Sequence, residues 1–225
     1  MQLRQRKAPE DSVRHPLFAR VYARMSVAAD RGGVAAHRAE LLAGLSGRVV
    51  EIGAGNGLNF ARYPAAVTDV VAVEPERSLR RLAVGAAARA PVPVDVRPGT
   101  AEALPVEDQG FDAAVVSLVL CTVRDVPKAL AEIRRVLRPG GELRFFEHGP
   151  APEPGMARVQ RVLDRTVWPA LFGGCHTSRD TLAALGGAGF ELGPYRALRV
   201  PEKGPRTPTS ACVLGAAYRP GADPL

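Results

Sequence analysis

Short apolar runs alternate with stretches of helical periodicity between residues 48 and 148. Runs at 48–52, 69–74, 92–97, 111–117 and 142–148 are rich in Val, Ile and Phe and read as strands. FDAAVVSLVL, from Phe111, is apolar without alternation, as a strand covered on both faces should be. Before the last of these runs, Val126, Ala129, Leu130, Ile133, Val136 and Leu137 recur at helical spacing, with Lys128, Glu132 and Arg135 opposite. Pro139-Gly140-Gly141 ends that helix. Alternation of this kind predicts an α/β fold with a parallel sheet and helices on both faces.

The flanks read differently. Residues 12–45 predict two helices broken near Arg31-Gly32-Gly33, with Phe18, Val21, Tyr22 and Met25 on one side of the first. Met156, Val159, Val162, Leu163, Val167 and Leu171 form a second apolar stripe, with Arg158, Arg161 and Arg165 opposite, and predict a lid or core helix within 151–177. Thr177-Ser178-Arg179-Asp180 fits a capping box opening a helix to Gly186. FELGPYRALRV and SACVLGAAYRP then read as an antiparallel strand pair closing the sheet. One domain over 1–225 is expected, with N-terminal helices at 12–45, a ligand-binding core at 46–150, the lid segment, and a C-terminal helix and strands at 178–225.

Composition adds little to this picture. Thirty Lys and Arg against 23 Asp and Glu give a net charge of +7, but only the tail MQLRQRK is locally basic and no basic cluster is interleaved with aromatics. A solvated basic surface is the simpler reading. The sequence has no transmembrane run and no signal-peptide order, so a cytoplasmic protein is expected, with peripheral membrane contact left open. Cys121, Cys175 and Cys212 lack CxxC spacing, and His15, His37, His148 and His176 lack ligand spacing, so neither a disulfide framework nor a metal site is expected.

The candidate chemistry starts at VVEIGAGNGLNF, where Gly53, Gly55 and Gly57 follow an apolar run. Side chains there would block a close-lying ligand. A dinucleotide loop would carry a glycine three residues after the second, where this chain has Leu58, which argues against NAD or FAD. Glu74 ends the second strand and can accept from both hydroxyls of a ribose; alternatively it caps the helix that follows. A nucleoside without a pyrophosphate fits these parts.

EIGAGNG, VEPERSL, GTAEALPVEDQGFDAAVVSLVL and ALAEIRRVLRPGGEL resemble, in order and spacing, the motif series of class I S-adenosylmethionine-dependent methyltransferases. The resemblance covers roughly residues 45–150 and implies a Rossmann-like, seven-stranded, mostly parallel sheet that binds S-adenosyl-L-methionine. It implies that Gly53, Ala54 and Gly55 line the methionine portion, that Glu51 supports the loop from beneath, and that Glu74 holds the ribose. Pro75 would lie against adenine, Thr100, Ala101 and Glu102 would border its edge, and Ser117 and Leu118 would face the sulfonium. Many relatives have Asp at the place of Thr100, so that contact would weaken or move to Glu102. SLVLCTVRD, FFEHG and VLDRTVWPALFGGCHTSRDT further resemble the methyltransferase-like thiol S-methyltransferases and their bacterial relatives.

The expected reaction is methyl transfer to a small, fairly hydrophobic acceptor, most simply a thiol, by in-line displacement. His148, ending the fifth strand, is the first candidate for a base or substrate contact, and His176 is the second; the alternative is a hydrogen-bonded histidine at a strand end for His148, and a structural loop histidine for His176. Phe18 and Tyr22 could cover the cofactor. Ser117-Leu118-Val119-Leu120 lacks the Asn/Asp-Pro-Pro-aromatic pattern of enzymes that methylate base amines, which argues against nucleic acid. Methylation of a lipid head group or quinone precursor at O or N, a non-catalytic cofactor-binding module and an NAD-dependent oxidoreductase are the competing readings.

Overall fold

The computed structural model describes residues 16–221. His15, the basic tail and the expected helix start at residue 12 lie outside the described residues. So does the side chain of Phe18, whose backbone lies in the first helix.

Seven strands form one sheet: β1 (Gly47–Ile52), β2 (Val67–Val73), β3 (Val94–Arg97), β4 (Phe111–Ser117), β5 (Leu137–His148), β6 (Glu191–Arg199) and β7 (Ala211–Tyr218). Their order is β3-β2-β1-β4-β5-β7-β6, and β7 alone runs against its neighbours. The helices are α1 (Pro16–Ala29), α2 (Ala35–Leu42), α3 (Arg77–Ala87), α4 (Val126–Val136), α5 (Pro154–Asp164), α6 (Trp168–Leu171) and α7 (Thr181–Gly187). The mostly parallel α/β sheet with an antiparallel C-terminal pair is the expected one.

Successive residues of the central strands enter opposite cores, because side chains alternate along a strand. Val49, Val115 and Phe146 pack with Leu41 and Leu42 of α2. Val50, Val116 and Phe145 pack with Leu130 and Ile133 of α4. Full burial of each such side chain stabilises by about 1.5–3 kcal/mol, so the centre of the sheet is its rigid part. Strand order reverses between β1 and β4, which puts the loops after β1, β2 and β4 along one edge.

Several local expectations are corrected. The stripe from Met156 to Leu171 is two short helices, broken between Asp164 and Trp168, and most of its apolar members face outward: Val159 is 45% exposed, Val162 57%, Val167 56% and Leu171 66%. The inward residue of α5 is Gln160, whose amide accepts from the Ala151 N–H and donates to the carbonyls of Gly149, Thr177 and Pro208. Asp180, not Thr177, is the N-cap of α7, accepting from the Ala183 N–H. Thr177 and Ser178 instead use their backbone and hydroxyl donors to grip the Asp164 carboxylate. Between α1 and α2 the chain kinks within Asp30–Val34, where Gly33 leaves helical backbone at φ 114°, close to the expected break.

Candidate active site

The glycine loop leaves β1 with left-handed backbone at Gly53 (φ 67°) and Gly55 (φ 57°). A Cβ on Gly53 would lie 2.6 Å from Val119, so this residue is fixed as glycine by both conformation and the turn after β4. A Cβ on Gly55 would meet the ring of Tyr22 at 3.4 Å, which puts α1 directly over the loop. Ala54 lies buried between the two glycines.

Two buried carboxylates organise the floor. Glu74 accepts from the N–H of Gly55 through Oε2 and of Glu76 through Oε1, each at 2.8 Å. Every carboxylate oxygen can accept more than one bond, so both retain capacity for ribose hydroxyls. Capping of the next helix falls to Glu76, which accepts from Leu79, and not to Glu74. Glu51 accepts from Asn59 Nδ2 at 2.9 Å and Tyr63 Oη at 2.7 Å, tying β1 to the segment after the glycines. Burial is the main cause that raises both acids to about 7, partly offset by these donors.

A buried Arg38, unmarked in the sequence, links this floor to β4. Its Nε donates to Asp30 at 2.9 Å, and one terminal nitrogen donates to Asn59 Oδ1 at 3.1 Å and to Ser117 Oγ at 3.0 Å. Ser117 is therefore a buried strut. Leu118, next in line, is a non-glycine residue in left-handed backbone (φ 59°), a conformation costing about 1–2 kcal/mol. Glu147, fully buried, holds the turn by accepting from the N–H groups of Val119, Leu120 and Cys121.

The other expected contacts lie along the same edge. Pro75 is partly buried and its carbonyl accepts from Arg80. Thr100 and Ala103 form an isolated bridge around buried Ala101, and Glu102 accepts from the Arg124 N–H at 3.3 Å. An open groove of about 770 Å³ between α4 and α7 contains none of these residues. The glycine cradle and the buried Glu74, whose oxygens keep acceptor capacity, lie together at this edge.

His148 ends β5 with Nδ1 3.7 Å from Cys175 Sγ. His176 is turned differently: Nδ1 bonds the Gly174 carbonyl at 2.8 Å and lies 3.4 Å from Arg179. Cys121, from the turn after β4, joins His148 and Cys175, and their ligating atoms all lie within 4.8 Å of one another. The proximity of Cys121 does most to lower the Cys175 thiol, to about 5, followed among the lowering influences by His148; Cys121 is correspondingly raised.

A family model described as a methyltransferase domain matches residues 50–145. The UbiE ubiquinone/menaquinone biosynthesis C-methyltransferase of Syntrophotalea carbinolica is 31% identical over 70% of each chain. This chain belongs to the S-adenosylmethionine-dependent methyltransferases. Human thiol S-methyltransferase TMT1B is 34% identical to the methyltransferase over 66% of the present chain and 63% of its own, so under two thirds of that relative is spanned. An S-adenosylmethionine-dependent methyltransferase of Thermotoga maritima superposes with a TM-score of 0.65 at 23% identity, over 90% of this chain and 98% of that one. Among the described residues no helix is long and apolar enough to cross a membrane.

Proposed function

We propose that the methyltransferase methylates the sulfur of a small, fairly hydrophobic thiol. The observation that carries this reading is the likeness to thiol S-methyltransferase TMT1B, which extends beyond the cofactor half of the chain. S-adenosylmethionine supplies an electrophilic methyl on a positively charged sulfur. Gly53, Ala54 and Gly55 would receive its methionine part, with Glu51 bracing the loop from below. Glu74 would hold the ribose, Pro75, Thr100, Ala101 and Glu102 the adenine, and Ser117 and Leu118 the sulfonium side. Tyr22 on α1 would cover it.

Displacement needs the acceptor sulfur in line at about 3–3.5 Å from the methyl carbon. Cys121, His148 and Cys175 would border that space, with His148 the first candidate for a base or substrate contact and His176, on the rim, the second. Placement does most of the work, because a thiolate needs no base at the moment of attack. Full-length protein given labelled cofactor and a panel of small thiols, phenols and demethylated quinones should label thiols first. Transfer confined to quinone carbon would replace this reading with that of the UbiE relatives.

The pH dependence follows from Glu74. With the acid raised to about 7, ribose hydroxyls that donate to its ionised form bind better as pH rises. Affinity for S-adenosylhomocysteine should therefore increase up to about pH 7 and level above it, changing at most about tenfold per pH unit. Stability of the ligand-free protein runs the other way. A carboxyl that titrates near 7 when folded and near 4.5 when unfolded stabilises fully below 4.5, and that contribution is lost as pH rises through 7. Calorimetric titration and thermal melts from pH 5 to 8 check both slopes.

A further inference from the structure

Cys121, His148 and Cys175 come from three different segments: the turn after β4, the end of β5 and the loop between α6 and α7. Their meeting is enforced by backbone. The His176 N–H donates to the Cys121 carbonyl at 2.7 Å, Gly174 at φ 91° packs so closely that a Cβ would lie 2.9 Å from the Thr122 carbonyl, and Glu147 accepts from the Cys121 N–H. Two thiols and an imidazole are thus held side by side before any ligand arrives. Both cysteines are buried, and His148 is partly exposed.

We propose that these three residues form a Zn²⁺ site whose fourth position takes the acceptor thiol. Two thiolates and a neutral imidazole suit zinc, and three protein ligands with one open position are the pattern of catalytic zinc sites. Tetrahedral bonds of about 2.3 Å to sulfur and about 2.0 Å to nitrogen separate such ligands by about 3.6 Å. The Cys175 to His148 distance is 3.7 Å. Two thiolates cancel the charge of the ion, so the metal-loaded site is close to neutral before the acceptor arrives, and the one negative charge that an acceptor thiolate adds would be matched by the sulfonium. Trp168 Nε1, on the helix just before the Cys175 loop, is buried with no hydrogen-bond partner among the described residues.

The proposed role rests on the thiol reading given above. The acceptor S–H would lose its proton to solvent as its sulfur binds the ion. One sulfur lone pair would then form the bond to the methyl carbon while the carbon–sulfur bond of the sulfonium breaks, its electron pair returning to the departing S-adenosylhomocysteine. The methyl thioether, a weaker ligand than a thiolate, would leave the ion. His148 acts here as a ligand and positions the ion.

The test uses the full chain, stripped with chelator and titrated with Zn²⁺, and in parallel with Co²⁺ for its thiolate charge-transfer absorption. One equivalent should bind. C121S and C175S should each weaken binding by more than about 100-fold, beyond the usual effect of a supporting residue, while keeping affinity for S-adenosylhomocysteine as a check on folding. C212S should bind the metal like the wild type, since Cys212 donates to the Thr209 carbonyl and stands outside the cluster. No metal uptake, uptake unchanged in C121S and C175S, or formation of a Cys121–Cys175 disulfide in its place would overturn the site. Transfer to thiols undiminished by chelation would overturn the metal and leave the thiol reading intact, whereas a metal-loaded protein that methylates only quinone carbon would overturn the acceptor role and the thiol reading together.

Discussion

Replacing Glu74 by Ala should weaken S-adenosylhomocysteine binding by about 10² to 10⁴-fold. Hydrogen bonds to a charged group contribute roughly 1.5–3 kcal/mol each, and on the proposed reading two ribose hydroxyls would lose their acceptor together. The loss is compounded because the N–H groups of Gly55 and Glu76 lose theirs as well, which loosens the glycine loop. E74Q, keeping size and one acceptor, should recover part of the affinity. E76A is the informative neighbour: it removes the cap of α3, costing about 1 kcal/mol of stability, and should change affinity only a few-fold. Calorimetry on the three variants, with melts to establish folding, decides the matter. Wild-type affinity in E74A would remove ribose recognition from this residue.

What was legible in the sequence is what physical chemistry writes locally. A strand buried on both faces must be apolar throughout, so 111–117 announced itself, and β4 is that segment. The glycine loop was legible because Gly53 and Gly55 adopt backbone that other residues avoid. Boundaries were less so. β3 begins at Val94, after Pro93, and β5 begins at Leu137, ahead of the Pro-Gly-Gly turn expected to precede it. The stripe on α5 misled because periodicity marks a face without saying which way it points. The inward line runs through Met156, Gln160 and Leu163, and the polar Gln160 is its most buried member.

Long-range assemblies left no such trace. Cys121, His148 and Cys175 are far apart in the chain, with none of the short spacings by which ligand sets are recognised, and they meet only because β4 and β5 are neighbours and the loop before α7 folds back across them. Arg38 was invisible for a related reason, since an arginine on a short helix ordinarily faces water. The motif series identified the loop, while the structure supplies what holds it still.

That support is open to direct test, because Arg38→Met should be the most destabilising single change near the site. Arg38 is 6% exposed and serves three acceptors: Asp30, Asn59 and Ser117. Removing one member of a buried charged pair costs about 3–5 kcal/mol, because the partner stays buried without its counter-charge. Arg62 also reaches Asp30, at 3.0 Å, so part of that charge remains matched and the lower end of the range is expected. Urea unfolding should lose about 3 kcal/mol, and the melting temperature should drop by roughly 6–12 °C. Affinity for S-adenosylhomocysteine should fall as well, because Asn59 connects Arg38 to Glu51 beneath the glycine loop. Arg62→Ala, at a more exposed position, should cost about 1 kcal/mol or less. Were R38M to unfold within 1 kcal/mol of the wild type, neither the buried network nor its coupling to the loop could stand, and the glycines would have to hold their shape through Glu74 and Val119 alone.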